Sequence, residues 1–163
     1  MNSLPLWQRG LGLAMYLLPW TDALALGRPF FGLGLVPPSV QTALILPVLP
    51  LSWVSGLAPF GLGPMLLLLV VFFAVARNPQ APYFLRFNAL QAILVDVVLL
   101  VAGYGLAIVG CRPGITEGFV CDVFGNTLFL GSLLLVIFAF VECIRGREPE
   151  LPSLSDAVRL QLF

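Results

Sequence analysis

Arg86, Asn88, Gln91 and Asp96 put four polar side chains into an otherwise apolar stretch, and their types and spacing are those that could do work inside it. Asn88 and Gln91 stand three apart and share a helix face, with Asp96 about 80° round from Asn88 at ideal helical geometry. One polar stripe is expected. If hydrocarbon begins near Phe87, Asp96 lies roughly 14 Å deep, close to the centre of a bilayer. A carboxylate there costs about 2.5 to 3.5 kcal/mol on insertion scales, so it must be protonated, paired or facing a wet cavity. The stripe therefore reads either as the lining of a polar pathway or as interhelical glue, worth roughly 1 kcal/mol for each Asn or Gln bond. Glue is the better supported, since no second acid or imidazole in the sequence completes a proton relay with Asp96.

The remaining reactive groups are few. Cys111 and Cys121 have nine residues between them and sit beside Gly114, Glu117 and Asp122. In an oxidising compartment they can close a disulfide worth on the order of 2 to 3 kcal/mol in the chain-entropy model; the alternative is two free thiols near an interface. Without His or CxxC spacing they are a weak ligand set, and neither metal nor cofactor is expected. Glu142 and Arg145, three apart, suit an interfacial pair with snorkelling stems, and Cys143 between them suits packing. All eight basic residues are Arg, with no Lys or His, which removes Schiff-base lysines and the commonest general base. No nucleophile has a base within a motif, so no enzymatic activity is expected. Eight acidic residues balance the charge to zero, leaving no basic field for nucleic acid.

The elements that must position these residues follow from composition. Of 163 residues 60% are apolar and 10% charged, with mean hydropathy +1.02; soluble domains carry about 25% charged residues. The chain is expected to be an all-α integral membrane protein forming a single membrane domain, 1–163. Runs of about 20 apolar residues are needed to cross roughly 30 Å of hydrocarbon. Four stretches qualify: 40–57, kinked by Pro47 and Pro50; 60–76, with Pro64 in its first turn; 87–109, after the breakers Asn78, Pro79 and Pro82; and 124–144. Gly103, Ala107, Gly131 and Ser132 would permit close helix contact.

Arg9 and Asp22 confine the apolar run in 1–35 to about a dozen residues, too short to cross. An interfacial or re-entrant segment is expected, with Trp7, Tyr16 and Trp20 at headgroup level. The less favoured alternative is a signal peptide cut after Ala23-Leu24-Ala25. The tail, 145–163, places Leu151, Leu154, Val158 and Leu162 at helical spacing after Pro152, with Ser153 or Ser155 to cap, and predicts a short amphipathic helix on the membrane or the bundle. Four crossings leave Arg9, Arg28, Arg77, Arg86, Arg145, Arg147 and Arg159 on one side and Arg112 on the other, which makes both termini cytoplasmic.

Leu17-Leu18-Pro19, Gly27-Arg28-Pro29-Phe30-Phe31, Arg77-Asn78, then Arg86-Phe87-Asn88-Ala89-Leu90-Gln91-Ala92 ahead of Asp96, and Leu151-Pro152 with Asp156-Ala157 occur in an order that resembles the Tic-twenty family. That family comprises the twenty-kilodalton membrane subunit of the translocon at the inner chloroplast envelope and its cyanobacterial relatives. The resemblance runs over nearly the whole chain, and Arg-Phe-Asn-x-x-Gln-Ala is its most specific element. It implies four transmembrane helices and a non-enzymatic role in protein translocation or membrane assembly, with other membrane subunits, and a translocated polypeptide, as partners besides the lipid. The N-terminal segment does not read as an Arg- and Ser-rich transit peptide, which fits a plasma or thylakoid membrane relative better than a plastid one. The competing expectation is a small solute or ion carrier acting as an oligomer, with Asp96 as its coupling carboxylate.

Overall fold

The structure, a computed structural model, describes residues 4–59, 62–112, 118–151 and 154–162. Gly114 and Glu117 beside the cysteines, Phe60 at the start of an expected span, and Pro152 and Ser153 ahead of the tail helix lie outside the described residues.

Two long antiparallel helices frame the molecule. The first begins immediately after Pro82 and runs Tyr83–Ile108 (α7 in chain order); the second runs Phe119–Arg145 (α8). Gly146 stops α8 in a left-handed conformation, φ 73°, that places its own amide on the Cys143 carbonyl and that of Arg147 on the Glu142 carbonyl, 2.9 Å away. Asp122 in the first turn and Arg145 in the last oppose the helix dipole.

The N-terminal segment fills the space between these two helices. Leu6–Met15 (α1) and Leu17–Leu26 (α2) are joined by a single irregular residue, Tyr16, and both pack against α7 and α8. Together they extend about 31 Å. Gly12 faces Phe84, and a Cβ there would lie 2.8 Å from the ring; Leu26 lies against Gly103. These contacts set α1 and α2 alongside α7 over most of its length. Gly27 then turns under Phe129, where a Cβ would sit 2.5 Å from the ring, and Arg28–Gly32 (α3) brings Phe30 and Phe31 onto the same phenyl. Tyr16 and Trp20 are core residues of the bundle, 2% and 5% exposed. The charge-free run was cut short at Arg9 and Asp22, but packing accommodates both. Arg9 donates to the carbonyls of Leu4 and Ile144 at one end of the bundle, and Asp22 meets another polar side chain in its interior.

Pro38–Ile45 (α4), a tight turn Leu46–Val48 and Leu49–Gly56 (α5) form a helix broken where Pro47 and Pro50 withhold amides. It lies at the periphery, with Leu46, Leu49, Trp53 and Val54 exposed, and is pinned where the Trp20 indole donates to the Leu44 carbonyl at 3.0 Å. Gly63–Val71 (α6) continues through the wide turn Phe72–Ala76 to Arg77. Gly63 abuts Ser55 so closely that a Cβ would come within 1.9 Å of its carbonyl oxygen.

Among the described residues three stretches are long and apolar enough to cross a bilayer: Pro38–Gly56, α7 and α8. The expected span 60–76 is the helix Gly63–Ala76, nine residues of α-helix and five of wider turn, about 21 Å against the roughly 30 Å of hydrocarbon. It starts half-way along α7, where Pro64 and Leu67 share a cavity with Asp96, and ends near the beginning of α7, where Arg86 donates to the Ala76 carbonyl.

The tail re-enters the bundle. Leu154–Leu162 (α9) lies on α7, with Val158 wholly buried among Ala76, Phe87, Leu90 and Ile93. Leu154 reaches the groove between Leu99 and Ser132, and the Ser155 hydroxyl accepts the Leu151 amide at 2.7 Å.

Candidate functional site

The helix α7 does not present its polar residues to one channel. Even Asn88 and Gln91, about 60° apart on one face, meet different neighbours, because different segments pack on α7 along its length. Arg86 reaches the Ala76 carbonyl at 3.3 Å. Asn88, fully buried, donates to the Phe84 carbonyl at 2.7 Å and accepts the Cys143 thiol of α8 at 3.2 Å. Gln91, also fully buried, donates to the Pro149 carbonyl at 3.0 Å and so fastens the tail to α7. Arg86 thus ties α7 to the element just before it, while Asn88 and Gln91 reach partners 55 and 58 positions away.

Asp96 is the exception. It is 2% exposed and makes no such link among the described residues, and one of its carboxylate oxygens is buried with no hydrogen-bond partner, as is the amide oxygen of Gln91. It lines a cavity of about 20 Å³ together with Thr21 and Asp22 of α2, Leu51 and Ser55 of α5, and Pro64 and Leu67 of α6. Asp22 likewise has a buried carboxylate oxygen without a partner. The second acid that sequence spacing failed to supply thus comes from 74 positions upstream, through the packing of α2 on α7. No local motif could have flagged it; the signal available was the charge itself, a lone Asp within an apolar segment.

Asp22 also borders a separate groove of about 240 Å³ between α2 and α7, flanked by Ala25, Gly103, Tyr104 and Ala107, which lies on the Cys111 side of the acid pair. At that end the sulfurs of Cys111 and Cys121 are joined, with their Cα atoms 5.2 Å apart, tying the end of α7 to the start of α8. At the opposite end Arg145 and Glu142 pair at 2.9 Å, and Arg159 of α9 bonds Glu150 and approaches Glu148 at 3.7 Å. Partial burial raises Glu148 above the ordinary carboxyl range, opposed by the attraction of Arg159. Among the described residues no group of three or more His, Cys, Asp or Glu side chains gathers as a metal site.

Residues 2–158 match the family described as chloroplast import apparatus, Tic20-like. The chain belongs to this family. Among its Tic20 relatives, a Tic20 family protein of the cyanobacterium Synechocystis is 34% identical over 148 residues, 91% of this chain and 88% of that one. Protein TIC 20-II, chloroplastic, of Arabidopsis thaliana is 30% identical over 97% of this chain and 74% of its own. Protein TIC 20-v, chloroplastic, of the same plant is 32% identical over 74% of this chain; the match spans 56% of that relative's length. The Tic20 match covers all the helices described above except the last residues of α9.

Proposed function

We propose that this Tic20 chain is a non-enzymatic, multi-pass subunit of a protein-translocation or membrane-assembly complex. Membership of a family described as chloroplast import apparatus carries that reading. The peripheral α4–α5 segment supports it, because Trp53 and Leu57, 78% and 84% exposed, extend an apolar face that lipid or a partner subunit would cover.

In this reading the membrane is crossed four times, but not by the four stretches that hydropathy singles out. α1 and α2 make the first crossing, side by side with α7. α4, α5 and α6 together make the second, descending in a broken path past Trp20 to the Asp96 cavity and on to Arg77. α7 and α8 are the third and fourth. Both termini and the Arg77–Arg86 turn are then cytoplasmic, and Arg28 joins Arg112 and the disulfide on the other side. Six arginines stand against two, still the bias expected of an inward-facing terminus.

Affinity isolation in mild detergent, with a photocrosslinking residue at Trp53, tests the function. Other membrane proteins that co-isolate and crosslink, and a passenger polypeptide trapped in the same assembly, are the expected result. A chain that purifies alone and, reconstituted, moves a small solute supports instead the second reading, an oligomeric carrier, which draws on the facing carboxylates of Asp22 and Asp96.

A further inference from the structure

We infer that Asp22 and Asp96 form a binding site for a single small monovalent cation, a shared proton or a sodium ion. The cavity between them is about 20 Å³, room for one occupant of the size of a water molecule. Its polar lining accepts and does not donate. Asp96 and Asp22 each bring a buried carboxylate oxygen with no partner among the described residues. Thr21 has committed its hydroxyl hydrogen to the Leu17 carbonyl at 2.8 Å, and Ser55 has committed its own to the Ser52 carbonyl at 2.9 Å, so each hydroxyl retains only lone pairs. The remaining lining residues, Leu18, Leu51, Pro64 and Leu67, are apolar, and among the described residues no cationic side chain lines the cavity.

Two carboxylates facing each other without an intervening donor repel at close range in a medium of low dielectric. One positive charge between them turns that repulsion into two attractions. Oxygen ligands suit a proton or a hard ion, and the set is too small in charge and number to favour a divalent one: calcium takes six to eight oxygens and magnesium demands a full octahedron. The α2–α7 groove bordered by Asp22 adjoins the site on the Cys111 side. The site does not depend on what the complex transports.

The test is thermal unfolding of the full-length protein in detergent at about pH 5 and about pH 8, in sodium chloride or in choline chloride of equal ionic strength, choline being too large for the cavity. In choline the parent protein is expected to melt several degrees lower at the higher pH. Recovery on adding sodium identifies the occupant as sodium; loss that sodium does not reverse identifies a shared proton. Asp22→Asn and Asp96→Asn each place an amide donor opposite the remaining carboxylate, and each is expected to flatten the dependence on pH and sodium. Asp156→Asn, on the exposed face of α9, controls for general charge effects and keeps the parent's dependence. A parent protein indifferent to both pH and sodium overturns the site, as does an Asp22→Asn variant that responds as the parent does. Asp22, only partly buried, keeps the test usable if Asp96→Asn fails to fold.

Discussion

The side-chain amide of Gln91 donates to the carbonyl of Pro149 at 3.0 Å, across 58 positions of sequence, in a fully buried setting. It fastens the re-entering tail to the middle of the bundle, and Val158 completes the attachment on the neighbouring face of α7.

Gln91→Leu should therefore release the tail. It removes the donor and leaves the Pro149 carbonyl without its partner, at a cost of about 1 to 2 kcal/mol. Limited proteolysis beyond Arg147 should become faster while the rest of the bundle stays protected. Unchanged cleavage would mean that the tail is held by its apolar contacts alone.

Gly63→Ala should be among the most damaging single changes in the chain. Its Cβ would meet backbone, the Ser55 carbonyl oxygen at 1.9 Å, which cannot swing aside as a side chain can. Overpacking typically costs about 1 to 3 kcal/mol and more where backbone must move. Gly10→Ala and Gly32→Ala meet nothing within 4 Å and serve as controls. Comparable melting temperatures for Gly63→Ala and these controls would contradict the close α5–α6 junction.

Replacing Cys111 and Cys121 with Ser, or reducing them, should lower stability by about 2 to 3 kcal/mol through the released loop. Thiol alkylation of the unreduced, denatured protein should modify Cys143 alone. Modification of all three would show that the bridge does not form where the protein resides.

The long helices were legible because length and apolarity suffice to mark them: stretches expected at 87–109 and 124–144 are Tyr83–Ile108 and Phe119–Arg145. The tail helix was legible from its apolar spacing. The place of α1 and α2 was not, because a test for charge-free runs treats Arg9 and Asp22 as boundaries. Tertiary contacts admit both, through the Ile144 carbonyl at the end of α8 for Arg9 and through the Asp96 cavity for Asp22. The polar residues of α7 were found, yet the directions they face depend on neighbours far away in sequence. Close approaches at Gly12, Gly27 and Gly63 were equally hidden, since a glycine's neighbour is known only once the helices are packed.

The order of crossings is the claim on which the rest of the account stands, and it turns on the side of the membrane reached by the segment between α3 and α4. In a chain whose Cys111, Cys121 and Cys143 are replaced, single cysteines at Leu35, which is 71% exposed, and at Gln80 can be probed with an impermeant maleimide on intact cells and after permeabilisation. With α1 and α2 crossing together, Leu35→Cys should react on intact cells and Gln80→Cys only after permeabilisation. Protection of both until the membrane is opened would contradict the account and return the N-terminal segment to the cytoplasmic interface.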